Sequence, residues 1–198
     1  WHLSQRKLLY DLRIPNHDFL TNLSAITYEG AYICVVAIEL EETGPNFTVV
    51  YDLQSGTLFK KLKTTCNTVS LAISQVNVCV IAGLENANII IWDLVTGNCR
   101  SKLEGHNAPV TFLKLDSFGK ILLSHNKEGR DYSLRLWDLI SGKLLAVYTP
   151  PGQISNCEIL PNGKFIVISV KNLPNIIFLT LKNYCETTNE KYGNEDQF

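Results

Sequence analysis

The sequence predicts an all-β fold built from about four copies of one small sheet. Short apolar segments rich in Val, Ile, Leu and aromatic residues alternate with turn residues over most of the chain, and no segment shows a helical period of useful length. An aromatic residue followed by a short turn also recurs at intervals of 41 to 50 residues. A constant interval of this size indicates one supersecondary unit repeated along the chain.

The repeat is clearest between residues 88 and 139. An apolar strand ends in Trp92-Asp93 and runs into a Gly turn, and the same pattern returns 45 residues later at Trp137-Asp138. The pair Gly105-His106 lies between the two copies. This pattern resembles the WD-repeat family. The resemblance implies a β-propeller, in which four-stranded sheets, or blades, pack side by side around a central channel.

Alignment on the Trp-Asp position gives five aromatic anchors, which are Trp1, Tyr51, Trp92, Trp137 and Phe178, with Asp93 and Asp138 following two of them. The anchors divide the propeller segment 1–183 into blades at about residues 13–62, 63–103, 104–148 and 149–183. Residues 7–12 are interpreted as an orphan fourth strand of a further blade. Residues 184–198 are polar and acidic and are expected to form a disordered tail.

About fifteen or sixteen short strands are predicted, four in each of the first three blades and three in the last. They are Leu20–Thr27, Tyr32–Leu40, Phe47–Tyr51, Thr57–Leu62, Thr68–Ile73, Val76–Ala82, Ile89–Trp92, Asn98–Leu103, Pro109–Leu115, Ile121–Ser124, Ser133–Trp137, Lys143–Tyr148, Ile154–Ile159, Phe165–Val170 and Ile176–Thr180. Four blades either close on themselves or form an open arc of a larger ring. The open arc is favoured, because nothing in the blades indicates an unusual wedge shape.

Blade three combines Ser, His and Asp, a set that on its own suggests a hydrolase triad. Ser124, however, ends a plain apolar strand, whereas such nucleophiles usually lie on a Gly-flanked turn. The resemblance implies instead that His106 bridges Asp131 to Ser124 in a buried structural network that the Trp137 indole N–H closes. No catalytic residue and no cofactor are therefore expected. The other blades lack the full set and are expected to depend on packing alone.

Composition bears on the class of partner and on the location. The net charge is −1, with no basic stripe, which disfavours nucleic-acid binding, and no apolar run is long enough to span a membrane. The six cysteines form no C-x-x-C pair, so neither a zinc site nor a redox motif is predicted. Buried, reduced thiols favour an intracellular, cytoplasmic protein.

The resemblance implies a non-catalytic protein–protein interaction scaffold within a larger multidomain regulatory protein. The irregular blades resemble the WD-repeat portions of the NACHT and WD-repeat proteins. Partners are expected to be other proteins, bound at the loops Glu41–Asn46 and Asn126–Tyr132, together with further blades or domains of the same polypeptide. The alternative is an enzyme or ligand-binding propeller with a site in the central channel. Only Lys114 and Glu158 are charged on the channel-facing strands, which disfavours this alternative.

Overall fold

The computed structural model describes residues 10–41, 43–161 and 163–182. These residues form fifteen strands and no helix, so the all-β prediction is confirmed. The strands are β1 (His17–Ile26), β2 (Tyr32–Glu39), β3 (Phe47–Asp52), β4 (Thr57–Lys63), β5 (Thr68–Ser74), β6 (Cys79–Leu84), β7 (Ile89–Asp93), β8 (Cys99–Leu103), β9 (Phe112–Leu115), β10 (Ile121–His125), β11 (Leu134–Asp138), β12 (Leu144–Tyr148), β13 (Ile154–Ile159), β14 (Phe165–Val170) and β15 (Ile176–Thr180).

Each blade is an antiparallel meander in which every strand pairs with the next one along the chain. Blade one contains β1 to β4, blade two β5 to β8, blade three β9 to β12, and blade four β13 to β15. The short connections between successive strands explain this order, because a hairpin needs only a few residues. The predicted boundaries are close to those observed, although β1 begins at His17 and β9 begins only at Phe112.

The blades pack face to face through three apolar clusters. Cys34 and Trp92 lie in the cluster between blades one and two, Ile81 and Trp137 lie between blades two and three, and Leu136 contributes to the cluster between blades three and four. The first strands follow one another in the order β1, β5, β9, β13 along the inner side. The sheets form an open arc, as predicted, and none of them closes on itself.

The register of the strands changes one predicted anchor. Tyr51, Trp92 and Trp137 occupy the same place in their blades, each opposite the second residue of the neighbouring strand β2, β6 or β10. In blade four, Leu179 occupies this place. Successive side chains of a strand point to opposite faces, so Phe178 lies on the other face of the sheet and is 66% exposed.

The segment before β1 also differs from its predicted form. The anchor Trp1, the first residues of the predicted strand 7–12 and the tail 184–198 lie outside the described residues. The remainder of the predicted strand, from Tyr10 to Leu12, is not in a strand. The Tyr10 hydroxyl donates a hydrogen bond of 2.7 Å to the Gln54 carbonyl, and Leu12 packs on the outer face of blade one. The apolar side chain of Leu12 covers a blade face and does not belong to a strand of another blade.

Candidate functional site

The polar residues of blade three come from four neighbouring places in the fold. Ser124 lies near the end of β10, Trp137 lies in β11, Asp131 precedes β11, and His106 follows β8. Gly105 holds φ at 146°, in a region that L side chains rarely adopt, and this conformation delivers His106 into the sheet. The sequence pattern Gly-His therefore has a conformational cause.

These four side chains form one continuous chain of hydrogen bonds. His106 Nδ1 lies 2.8 Å from Asp131 Oδ2, and His106 Nε2 lies 2.7 Å from Ser124 Oγ. The Trp137 indole Nε1–H donates to Ser124 Oγ over 2.8 Å. All four predicted residues are therefore brought together in one buried cluster.

The partners of the imidazole fix the direction of the protons. Asp131 is a carboxylate and only accepts, so Nδ1 of His106 carries a proton and donates. In the neutral ring Nε2 then accepts from the hydroxyl of Ser124, whose oxygen accepts in turn from Trp137. Every polar atom along this chain is used in one consistent direction, which strengthens the network.

The electrostatics of the network keep Asp131 charged and His106 neutral near pH 7. Burial opposes ionisation of Asp131, but hydrogen bonds from Ser133, His106 and Asn107 hold the pKa of this carboxyl well below its usual range. Burial lowers the pKa of His106, although Asp131 acts in the opposite direction. The pair is therefore a neutral imidazole on a carboxylate.

The same order of Ser, His and Asp occurs in hydrolases, yet this arrangement differs in its access and in its hydroxyl. Ser124 is 0% exposed and His106 is 7% exposed, so a substrate carbonyl has no path to the hydroxyl. The Ser124 oxygen already accepts the indole N–H of Trp137. Such a hydrogen bond withdraws the lone pair that a nucleophile would need. The geometry therefore favours a structural network over a triad.

The aspartates of the Trp-Asp pairs organise the turns after the third strands. Asp93 Oδ1 accepts the backbone N–H groups of Val95 and Thr96, at 3.0 and 2.8 Å. The backbone carbonyl of Asp93 accepts the N–H of Gly97, whose φ is 77°. The equivalent aspartates of blades one and three make the same bonds. Asp52 Oδ1 accepts the N–H groups of Gln54 and Ser55 at 2.7 and 3.2 Å. Asp138 Oδ1 accepts those of Ile140 and Ser141 at 2.9 and 2.8 Å. Thr180 stands at this position in blade four.

Blade one does not depend on packing alone, which corrects the expectation from the sequence. Asn46 is buried, and its Nδ2 donates to the carbonyl of Thr68 in blade two over 3.0 Å. The Asn46 Oδ1 accepts the Thr68 N–H at 2.7 Å. This side chain acts like an added peptide group between two blades. Sequence reasoning missed it because an Asn beside a Pro reads as an ordinary turn residue.

The loop Asn126–Tyr132 is held firmly at its base. The buried Asn126 donates through Nδ2 to the Pro109 carbonyl over 2.8 Å, and its Oδ1 accepts the N–H groups of Glu128 and Arg130 at 3.0 and 3.2 Å. At the other end of the loop, Asp131 joins the polar network. The intervening side chains therefore project into solvent from a fixed frame, on the same rim as the connection between β2 and β3.

The two charged residues on the channel side, Lys114 and Glu158, form an ion pair with each other. Lys114 Nζ lies 3.0 Å from Glu158 Oε1, between blades three and four. A small cavity of about 160 Å³ on this side is lined by uncharged residues of β1, β5 and β9, with Thr111. Neither feature offers an unpaired charge to a substrate.

Among the described residues, no group of three His, Cys, Asp or Glu side chains is placed to hold a metal ion. No helix of the described part is long and apolar enough to cross a membrane.

Comparison with known proteins agrees with this geometry. Residues 97–138 match the family model described as "WD domain, G-beta repeat". This segment begins at the Gly97 turn and ends at the second Trp-Asp pair, so it contains all four residues of the network.

Three curated relatives each match a part of the chain. Autophagy-related protein 16 of Arabidopsis thaliana is 31% identical over 94 residues, which are 47% of this chain and 18% of the relative. Small ribosomal subunit protein RACK1y of Oryza sativa is 33% identical over 66 residues, 33% of this chain and 19% of the relative. Periodic tryptophan protein 2 of Arabidopsis thaliana is 36% identical over 103 residues, 51% of this chain and 11% of the relative. The chain thus spans less than a fifth of each of these relatives.

The fold also matches a solved structure. The crystal structure of the computationally designed Ika4 protein superposes with a TM-score of 0.67 at 18% identity, over 89% of this chain and 99% of the designed chain. This likeness concerns the fold alone, an open arc of antiparallel β-sheets.

Proposed function

We propose that this chain, an open arc of WD-type blades, is part of a non-catalytic scaffold for protein–protein interactions. The observation that carries the proposal is that the Ser124 hydroxyl is buried and fully hydrogen-bonded. The one constellation that resembles catalytic chemistry holds its hydroxyl between His106 and the Trp137 indole, away from solvent. What the described part offers to solvent is then a set of loops on a rigid sheet frame, which suits binding.

The partner surface is proposed to be the rim that carries the connections β2–β3 and β10–β11. The second connection presents Arg130, with a side chain that is 71% exposed, and Tyr132, which is 47% exposed. Tyr and Arg are enriched among the residues that contribute most to binding in protein interfaces. Because Asn126 and Asp131 hold both ends of this loop, little ordering of the loop is needed when a partner binds.

The class of partner follows from charge and from the relatives. A net charge of −1, with no basic stripe in the sequence, supports protein partners and not nucleic acid. One relative is named as a ribosomal subunit protein, so it is part of an assembly. This supports a role for the present chain in binding other proteins. Free thiols at Cys34, Cys79 and Cys157 support an intracellular location, and the cytoplasm remains the predicted compartment.

The larger context of the chain is part of the proposal. The chain spans under a fifth of the relatives described above, which supports a longer polypeptide with further blades or domains. Those relatives are of other kinds than the NACHT and WD-repeat proteins, so membership of that group stays a prediction.

A pair of rim variants tests the binding role. The tagged chain, its Arg130→Ala/Tyr132→Ala variant and its Tyr28→Ala variant would be expressed in cells of the source organism, cross-linked and compared by quantitative mass spectrometry. Tyr28 is fully exposed on the opposite rim and serves as the matched control. We expect the double variant to lose specific partners that Tyr28→Ala retains. Identical partner sets for all three proteins would contradict the assignment of the rim.

A second measurement addresses catalysis directly. A fluorophosphonate probe, which labels activated serine hydroxyls, would be applied to the wild-type chain and to Ser124→Ala. We expect no labelling of Ser124 in the folded protein. Labelling of the wild type that disappears in Ser124→Ala would show that the hydroxyl is activated and reachable, and the non-catalytic proposal would fail.

A further inference from the structure

The outer strands of the three complete blades differ at one position of their register. β4, β8 and β12 are the fourth strands of blades one to three, and each lies at the end of its sheet. The residue that pairs with the position two before the aromatic anchor is Lys61 in β4, Lys102 in β8 and Val147 in β12. The outer edge of blade three therefore has an apolar residue where the other two edges have a lysine.

The rest of β12 is also without charge. Its sequence is Leu-Leu-Ala-Val-Tyr, whereas β4 contains three lysines and β8 an arginine and a lysine. Leu144, Leu145 and Val147 are 44%, 54% and 49% exposed. Charged side chains on an edge strand, those of lysine above all, oppose the pairing of a further strand. β12 lacks this protection.

The exposure of β12 does not depend on the two ends of the arc. Leu144 pairs with Trp137 and Val147 pairs with Arg135, so these two apolar side chains lie on the face of the sheet that Trp137 turns to blade two. All four strands of blade two are described. The free edge of β12 lies at the perimeter, at the opposite end of the sheet from the inner strand β9. Further blades would pack beside the terminal blades and would leave this edge uncovered.

An edge of this kind has a defined ligand chemistry. Only every second residue of a strand turns its N–H and C=O groups to its neighbour, so the others point outward from the edge. An extended peptide offers acceptors and donors at the same spacing. The pairing shifts register at Leu145, which is a bulge, and leaves Ala146–Tyr148 as the regular part of the edge. β4 and β8 have the same bulge, so it does not distinguish the three edges.

We propose that the free edge of β12 binds an extended segment of a partner protein, which joins blade three as a fifth strand. The core of this segment is uncharged, with β-branched or other apolar side chains beside Val147. Lys143, which is exposed immediately before β12, is complemented by an acidic residue at the matching end of the segment. This second surface is separate from the loop rim, but it rests on the proposed role of the chain as a scaffold for proteins.

The size of the edge favours a segment over a second copy of the chain. Two rigid copies joined through five-residue strands would bury far less than the roughly 1,200 Å² of a stable interface. A flexible segment needs no second rigid surface to match. Its backbone hydrogen bonds supply affinity, and the apolar side chains of β12 supply contacts on one face.

Peptide binding tests the edge directly. Short random peptides displayed on phage would be selected on the wild-type chain, and the enriched peptides would be synthesised with a fluorescent label as probes. We expect a group of them to have an uncharged, β-branched core next to an acidic residue. Fluorescence anisotropy should show that Val147→Glu weakens the binding of this group at least about tenfold, because the new carboxylate would lose water in a paired edge. Failure to recover such a group would overturn the proposal.

Two controls accompany Val147→Glu. The substitution places a carboxylate opposite Arg135, and opposite charges in a cross-strand pair attract, so the fold should be retained, which a thermal melt would verify. Lys102→Glu is the matched control, since it changes the same register position in β8 and leaves β12 unaltered. It should bind the peptides as wild type does. An equal loss of binding in both variants would contradict the assignment to β12.

A modified peptide separates strand addition from contact through side chains alone. The same probe with alternate amides N-methylated keeps every side chain but loses backbone donors, and it should not bind. Unmodified peptide should also slow amide hydrogen exchange in β12. Undiminished binding of the methylated peptide, or slowing confined to other parts of the chain, would overturn the proposal.

The remaining occupants give different results. Sedimentation velocity of the wild-type chain without peptide should show one copy. Self-association that Val147→Glu abolishes would assign the edge to a second copy, and the proposal would be wrong. Arg130→Ala/Tyr132→Ala should bind the peptides as wild type does. Because the rim is tested by that double variant and the edge by Val147→Glu, failure of one proposal is distinguishable from failure of the other.

Discussion

The Trp137 indole N–H donates to Ser124 Oγ across β10 and β11, over 2.8 Å, although the residue directly opposite Trp137 in the register is Leu122. The bond runs diagonally between the strands and joins the core side chain Trp137 of β11 to Ser124 near the end of β10. His106 and Asp131 extend it to the two loops that flank the sheet. A single network therefore fixes two strands and two connections of blade three.

Replacement of His106 by Ala is expected to reduce the free energy of unfolding by about 2–4 kcal/mol, because both Ser124 and Asp131 lose a partner while buried. Urea unfolding followed by tryptophan fluorescence would measure the change. Tyr28→Ala, at a fully exposed position, is the control and is expected to stay within about 0.5 kcal/mol of wild type. An equal effect of the two substitutions would contradict the network.

The four residues of this network were expected from the resemblance to WD repeats, which Gly105-His106 and the two Trp-Asp pairs carry. It did not place blade four in register. Phe178 is the aromatic residue nearest to the expected interval, but the pairing of β14 with β15 puts Leu179 at the anchor position. A slip of one residue reverses the face of every side chain, and spacing between distant anchors does not resolve one residue.

The contact of Asn46 with Thr68 could not be predicted either. It joins a side chain of one blade to the backbone of the next, and backbone partners have no sequence signature. A single histidine beside a turn, such as His125, is usually solvated or bonded locally. In the structure it is 0% exposed and packs on Phe112 with ring centroids 4.5 Å apart. Its burial follows from the position of β10 between two other strands, which the local sequence does not show.

His125 makes the fold sensitive to acid. Burial lowers its pKa to about 4; the Asn126 backbone acts in the opposite direction, and Lys127 and His106 act in the same direction as burial. The unfolded chain would bind a proton near pH 6.5 while the folded chain would not, so stability is full above that pH and falls between about pH 6.5 and 4. His106, whose pKa is also lowered, adds to the same loss. The pKa of Asp131 is also lowered, so protonation of this carboxylate reduces stability only at pH values below this window.

Replacement of His125 by Phe isolates this contribution. Neither ring nitrogen of His125 makes a hydrogen bond of good geometry with the described residues, so an apolar ring should cost little at pH 7. An apolar residue, Val36, already occupies the same register position in blade one. The loss of unfolding free energy between pH 7 and 4 should shrink by about 3 kcal/mol, the equivalent of the lowered pKa. Urea titrations at a series of pH values would show it, and an unchanged acid loss would contradict the assignment to His125.

Asp138 is expected to hold the turn between β11 and β12. Asp138→Ala removes the acceptor for the N–H groups of Ile140 and Ser141, and should reduce the free energy of unfolding by about 1 kcal/mol. Amide hydrogen exchange at these two residues should accelerate. Asp138→Asn keeps a side-chain oxygen and is expected to retain most of the protection. Equal exchange rates in both variants would show that the negative charge, and not the acceptor oxygen, is what matters.

Gly83 is expected to be the least tolerant glycine in the described blades. It lies in β6, and a Cβ at this position would collide with the side-chain oxygen of Ser70 and with the backbone carbonyl of Val110. The Ser70 hydroxyl donates to that same carbonyl over 2.5 Å, so the two groups hold each other in place at the boundary of blades two and three. The backbone φ of Gly83 is not in the left-handed region. Glycine is therefore required here only because the Ser70 hydroxyl and the Val110 carbonyl lie so close.

Gly83→Ala should therefore reduce the free energy of unfolding by about 2–3 kcal/mol, as overpacking of a filled interior does. Gly44→Ala is the matched control, since nothing lies within 4 Å of a Cβ built there, and it should change stability by less than about 0.5 kcal/mol. The double variant Gly83→Ala/Ser70→Ala removes the hydroxyl but leaves the carbonyl of Val110, which belongs to the backbone and cannot rotate away. We expect no recovery of stability in the double variant, measured by urea unfolding of all four proteins. Full recovery would show that the Ser70 side chain, and not the approach of two backbones, requires glycine at this position.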